Sequence, residues 1–138
     1  MRILGIDYGD SRVGIAVSDP LGITAQGIGT IKNKGRERLL NDLNEIIKKY
    51  SPEKIVLGLP KNMDGSEGFR ADATKEFKTD LEGIYSGEII LWDERLSTVG
   101  AASFLNATNT RGKDRKSVID TVAACIILEN YMSFQKNN

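Results

Sequence analysis

Histidine is absent from these 138 residues, and that absence narrows the chemistry more than any residue that is present. Without imidazole there is no Ser-His-Asp or Cys-His machinery and little basis for a zinc centre. Catalysis would fall to carboxylates, amines, hydroxyls and hard metal ions. Cysteine occurs once, as Cys125 in the apolar stretch VAACIIL, which excludes a disulfide framework or a sulfur-based cluster and assigns this thiol to packing. No apolar run approaches the ~18 residues that a membrane span requires, and the N-terminus enters a strand pattern with no leader-like series before it. A cytoplasmic protein without membrane attachment is expected. Neither sign of charge is in excess, since 19 basic and 19 acidic residues give a formal net charge of zero. Any nucleic-acid binding must therefore come from a local patch.

What is present reads as one domain over residues 1–138, long enough to bury its own core. Residues 2–7 form a buried strand pattern, and residues 12–17 alternate as a second strand after the turn Tyr8 to Ser11. Gly22 to Lys32 reads as a third strand punctuated by glycines. Leu39, Leu40, Leu43, Ile46, Ile47 and Tyr50 recur at helical spacing, with Pro52 just beyond. Lys54 to Leu59 is a short buried strand stopped by Pro60. The turn-rich loop KNMDGS follows, with Ser66 placed to cap a helix whose stripe is Phe69, Ala73, Phe77 and Leu81. Glu88 to Trp92 is a fifth strand, Leu96 to Asn106 an alanine-rich helix, and Ala107 to Ser117 a polar interruption. Val118 to Met132 is the last helix, with QKNN a frayed tail. Three strands in antiparallel succession, then strands alternating with helices, predict a mixed five-stranded α/β sheet with right-handed parallel crossovers and flanking helices. That is the layout of the ribonuclease H-like fold.

Within that layout the stretch ILGIDYGDSRVGIAVSD puts Asp7 at the mouth of the first strand. Glu94 falls just past EIILW, beside Asp93, and either of the two is placed to serve a site at the strand ends. Asp120 lies early in the final helix among Ile119, Val122, Ala123, Ile126 and Ile127, at the border of its buried face. Three convergent carboxylates without histidine suit Mg²⁺ or Mn²⁺, and two such ions can activate a water and stabilise a leaving oxygen at a phosphodiester. Each acid also has a plainer use: Asp7 capping a turn, Glu94 pairing with Arg95 in solvent, Asp120 favouring a helix N-terminus.

GIDYGDSRVGIAVSD, IVLGLPKNMDGSEG, DERLST and IDTVAACIIL, in that order, resemble the YqgF/RuvX family of ribonuclease H-like proteins over essentially the whole chain. The resemblance implies that Asp7, Glu94 and Asp120 are the family's acidic triad. It also implies a nuclease that matures the 5′ end of precursor 16S ribosomal RNA or, by likeness to RuvC, a Holliday junction resolvase acting on branched DNA. A junction-cutting enzyme would favour a homodimer, whereas RNA cleavage is open to a monomer. A non-catalytic module that binds RNA or a ribosomal partner is the rival reading. The Asp-x-Gly opening is shared with the actin, Hsp70 and sugar-kinase superfamily, which closes nucleotide between two such domains and needs more chain than this.

Cations flank the proposed site. Arg111, Lys113, Arg115 and Lys116 stand in NTRGKDRKS, immediately before the helix of Asp120, and Arg12 and Arg95 stand next to strand ends. All six are candidates for holding a phosphate backbone without reading its sequence.

Overall fold

The computed structural model describes residues 2–94 and 112–136, with side chains throughout except at 112–118 and 136. Its strands are β1 (Ile3–Tyr8), β2 (Arg12–Ser18), β3 (Ala25–Lys32), β4 (Lys54–Leu59) and β5 (Glu88–Asp93), and its helices α1 (Arg36–Tyr50), α2 (Phe69–Glu82) and α3 (Gly112–Lys136). They form one five-stranded sheet in the order β3-β2-β1-β4-β5. β1, β2 and β3 pair antiparallel, while β4 pairs parallel with β1 and β5 parallel with β4. This is the expected mixed sheet, with each expected strand in place.

Alternation along the strands divides the core in two. Leu4, Ile6, Val13, Ile15, Val17, Ile55 and Leu57 face α1 and α2, meeting Leu39, Leu43, Phe77 and Leu81. Ile3, Ala16 and Val56 face α3, meeting Ala124, Ile127, Leu128, Tyr131 and Met132, with Cys125 packed against the same cluster. The single thiol is thus a packing residue, and burial pushes it up to about 11. No helix among the described residues is long and apolar enough to cross a membrane.

Several details of these elements depart from expectation for physical reasons. β3 starts at Ala25 rather than Gly22, because the Asp19 carboxylate accepts the N–H groups of Ile23 and Thr24 and closes a turn there, with Gly22 at φ 70°. α2 is capped by Gly68, not Ser66, whose hydroxyl is engaged by Asp64 inside the loop. The buried stripe of α2 is Ala71, Thr74, Phe77 and Leu81, leaving Phe69 exposed. Counting back from Phe77 by fours drifts about 40° per step around the helix, which carries Phe69 off the buried face. Thr74 is tolerated there because its hydroxyl donates to the Arg70 carbonyl at 2.9 Å. Finally, α3 begins at Gly112 instead of Val118 and runs to Lys136. Residues 112–117 lack an apolar stripe, but lysine and arginine are good helix formers and no proline intervenes, so the helix extends from its packed segment. The helix expected over Leu96 to Asn106 lies outside the described residues.

The seating of α3 depends on missing side chains. A Cβ at Gly14 would stand 2.0 Å from the Asp120 carbonyl oxygen and 2.5 Å from its carbon, so the helix backbone occupies the space a side chain would fill. Gly14→Ala is expected to destabilise the fold by about 3 kcal/mol, the upper end of overpacking effects, since the obstructing atoms are backbone. Gly5→Ala, whose methyl would meet Ala124 O and Leu128 Cβ at 3.0 Å, is expected to cost about 1 kcal/mol. Urea denaturation checks both, and a Gly14→Ala protein within about 0.5 kcal/mol of wild type would refute this seating.

Candidate active site

Asp7 lies at the carboxyl end of β1 and pairs directly with Gly14 of β2, so the two share the sheet face that α3 covers. Because the Asp120 backbone sits on Gly14, the same glycine brings the helix acid toward the strand acid. Glu94 follows Asp93, the last residue of β5, and β4 stands between β5 and β1. Here too a glycine opens the path. A Cβ at Gly58 would stand 2.8 Å from Glu94 Cγ and 2.9 Å from Oε1, so Glu94 crosses β4 over Gly58 and reaches a hydrogen bond with Asp7. Between the two acids that follow EIILW, it is therefore Glu94 that meets Asp7.

Asp7 is half-buried by exposed area, yet enough protein surrounds it that lost hydration dominates its ionisation. Its pKa is pushed up to about 9, first by that burial, then by the hydrogen bond and negative charge of Glu94 and the charge of Asp120. Arg70 acts in the opposite direction. Asp7 thus tends to keep its proton, hydrogen-bonded to Glu94. Asp120 is engaged by Arg12, its Oδ2 accepting a hydrogen bond from Nε at 2.7 Å. Among the described residues no group of three acids is gathered tightly enough to hold an ion as it stands.

Arg12 therefore comes to the site as a partner of Asp120. Lys113, Arg115 and Lys116 fall in the first turns of α3, within eight residues of Asp120, while Arg95 and Arg111 lie outside the described residues. Tyr8 is packed, not offered to solvent as a stacking platform: its ring stacks on Phe77 at 4.3 Å and its hydroxyl accepts from Arg36. Arg70 does not stand out in the sequence, although a signal exists there. The helix after β4 must start at the carboxyl end of the sheet, so a cation in its first turn lies beside Asp7. With Lys61, Asn62 and Phe69, Arg70 lines a cleft of about 180 Å³. The loop between them is held by its own bonds, Asn62 N–H to Ser66 O and Gly65 N–H to Asn62 O, both 2.8 Å.

Asp7 makes the metal-free protein sensitive to pH. Its folded-state pKa lies above its unfolded value of 3.8, so between roughly pH 4 and 9 the folded state binds more protons and stability falls as pH rises. In chelator, Asp7→Asn is expected to be more stable than wild type at pH 8 by at least about 1.4 kcal/mol, an advantage that shrinks toward pH 5. Thermal unfolding at the two pH values measures it, and parallel losses in both proteins would show that Asp7 ionises freely.

Relatives agree with this architecture. A protein from Halothermothrix orenii named "Putative pre-16S rRNA nuclease" is 49% identical over 135 residues, covering 98% of this chain and 96% of that one. A protein of the same name from Bacillus pumilus is 47% identical over 134 residues, covering 96% and 97%. Among solved structures, Thermus thermophilus RuvC superposes with a TM-score of 0.61 at 11% identity, covering 99% and 97% of the two chains. The fowlpox virus resolvase in complex with Holliday junction DNA gives 0.57 at 13% identity, covering 98% and 99%. At these identities the likeness is one of fold, the RuvC-like ribonuclease H sheet. Residues 1–134 match the model of the RuvX family, described as Holliday junction resolvase, and with relatives this similar along nearly their whole length the chain belongs to that family.

Proposed function

We propose that this chain is a divalent-metal-dependent nuclease that hydrolyses phosphodiester bonds in RNA, with the 5′ end of precursor 16S ribosomal RNA as its substrate in the cytoplasm. The observation that carries the reading is the hydrogen-bonded carboxyl pair of Asp7 and Glu94, with the charge of Asp120 bearing on Asp7. Three oxygen-donor acids converging where hydration is poor repel one another, and a hard cation relieves that repulsion. Asp7, Glu94 and Asp120 would hold Mg²⁺ or Mn²⁺, singly or as a pair, which when bound supplies activation of a water and stabilisation of the leaving oxygen.

The chain's own residues do the rest. β1 and the end of β5 are rigid, so Asp7 and Glu94 are set in place without the entropy a loop would lose. Arg70 stands at the acids and lines the neighbouring cleft, where it offsets repulsion of an approaching phosphate. Lys113, Arg115 and Lys116 follow one another in the first described turns of α3, and a cation run of this density suits an interface with nucleic acid, together with Arg95 and Arg111. RNA is favoured by the relatives, which bear a pre-16S rRNA name and match over 96% and 97% of their own lengths. A second reading, cleavage of branched DNA by a homodimer, is favoured by the family's description as Holliday junction resolvase.

Asp7→Asn, Glu94→Gln and Asp120→Asn are each expected to lower the cleavage rate by about a thousandfold, some 4 kcal/mol of transition-state stabilisation, while keeping a cooperative unfolding transition. The assay sets purified protein with Mg²⁺ or Mn²⁺ against precursor rRNA, generic single strands and a four-way DNA junction. Undiminished cleavage by all three variants would end the metal-site reading. Symmetric cutting of the junction at a higher rate than RNA would make the resolvase reading primary, and binding without any cleavage would leave a binding module.

The cations of α3 predict a second outcome. A Lys113→Glu, Arg115→Glu double variant is expected to bind RNA of any sequence more weakly and to reduce the slope of log affinity against log salt by about 1 to 2, at ~0.7 for each single-strand phosphate that is no longer neutralised. Equal slopes for the two proteins would place the backbone elsewhere.

A further inference from the structure

Arg12 presents a geometry that phosphate binding alone does not explain. Its Nε donates to Asp120 Oδ2 at 2.7 Å, and both side chains are partly exposed, 37% and 22%. A guanidinium has five N–H donors. Among the described residues the bond that Arg12 donates is the one from Nε, and the planar guanidinium presents its terminal Nη groups as a fork suited to an oxyanion. The backbone carrying this side chain is fixed, because Arg12 opens β2 in register with Lys32. The acid it holds is equally fixed, since the Asp120 backbone rests on Gly14. What can change is the choice of partner at the tip of Arg12, between the Asp120 carboxylate and an incoming phosphate.

We propose that Arg12 is a positioning residue that couples metal and substrate binding. Its Nε engages the Asp120 carboxylate, whose charge bears on Asp7, while among the described residues the three acids form no coordinating group. A cation entering alone must compete with the guanidinium for Asp120. A phosphate that engages the Nη fork draws charge density from the same guanidinium, weakens its hold on Asp120 and frees that carboxylate for the metal. Nucleic acid therefore tightens metal binding, and by thermodynamic reciprocity the metal tightens nucleic-acid binding by the same factor. Such a device keeps the site from assembling a full metal centre until a phosphate backbone is in place. The inference rests on the nuclease reading above, and its test separates the two.

The test measures Mn²⁺ affinity from the paramagnetic resonance of the free ion, with and without a short single-stranded 2′-O-methyl RNA as a cleavage-resistant probe. In wild type the RNA is expected to tighten Mn²⁺ about tenfold, within the usual range of coupling between sites. In Arg12→Met, Mn²⁺ binding without RNA is expected to tighten several-fold and the coupling to fall below about twofold. Arg12→Lys keeps the charge but cannot serve two partners through a planar fork. It is expected to bind Mn²⁺ alone much as wild type does and still to lose most of the coupling. An arginine that merely packs or adds charge would leave the Lys variant coupled like wild type. Equal Mn²⁺ affinity with and without RNA in wild type, or full coupling in either variant, overturns the proposal while leaving the nuclease reading intact. Failure of wild type to bind Mn²⁺, or undiminished binding by Asp7→Asn, overturns both. Should Arg12→Met fail to fold, the Lys variant alone decides.

Discussion

Like charges brought together where water is scarce repel, so packing must hold Asp7, Glu94 and Asp120 near one another against that force. The means here is subtraction. Gly14 leaves room for the α3 backbone at Asp120, and Gly58 leaves room for Glu94 to pass over β4. Neither glycine is at a turn; both lie within strands, where glycine is ordinarily a weakening choice. Close approach of a helix and of a side chain is what each position gains. The sheet register then completes the arrangement, because Asp7 pairs with Gly14 and Gly58 with Trp92, two residues before Glu94. A shift of one residue in either ladder would turn an acid to the opposite face.

That dependence explains why the fold is easier to read from sequence than the site. Strands β1, β2, β4 and β5 carry apolar runs bounded by turn residues, and α1 has a broad apolar stripe with a clear stop, so each can be placed within a residue or so. The elements that sequence misplaces are those set by something other than hydrophobic period. The start of β3 is set by the Asp19 side chain, the face of α2 by a threonine that satisfies its own hydroxyl, and the start of α3 by propagation through charged residues.

For the candidate site, residue type and element position draw attention to Asp7 and Asp120 and leave Asp93 and Glu94 as alternatives, because an acid at the end of an apolar strand or on the border of an apolar helix face calls for an explanation beyond packing. What sequence does not supply is the partner of each acid. Arg12 and Asp120 are 108 residues apart and meet only because β2 lies beneath α3. Arg70 influences Asp7 from a helix whose direction follows from the parallel crossover and not from any motif. The sequence likewise gives no sign of the partners of Tyr8, and it is Phe77 and Arg36, both distant along the chain, that commit it to packing. The glycines that position Asp120 and Glu94 leave no mark of their own among the 14 in the chain, since close approach is a property of the partner as much as of the residue.

The balance of charge then bears on how such a site distinguishes its substrates. With 19 cations against 19 anions, long-range attraction cannot bring nucleic acid to the protein indiscriminately. Around the acids the local field is mixed: Arg70 and Arg12 stand beside three carboxylates, and Lys113, Arg115 and Lys116 follow along one helix. On the proposed nuclease reading, a phosphate backbone would be favoured only along a path that meets those cations while avoiding uncompensated acid, and a metal ion only where all three acids can turn to it. Each ligand would then improve the field for the other, because the cation would offset the carboxylates that repel the phosphate and the phosphate would offset the guanidinium that competes with the cation. Under the proposed coupling, specificity in a nearly neutral protein of this size would rest less on recognising a sequence of bases than on requiring two oppositely charged ligands to arrive in one geometry.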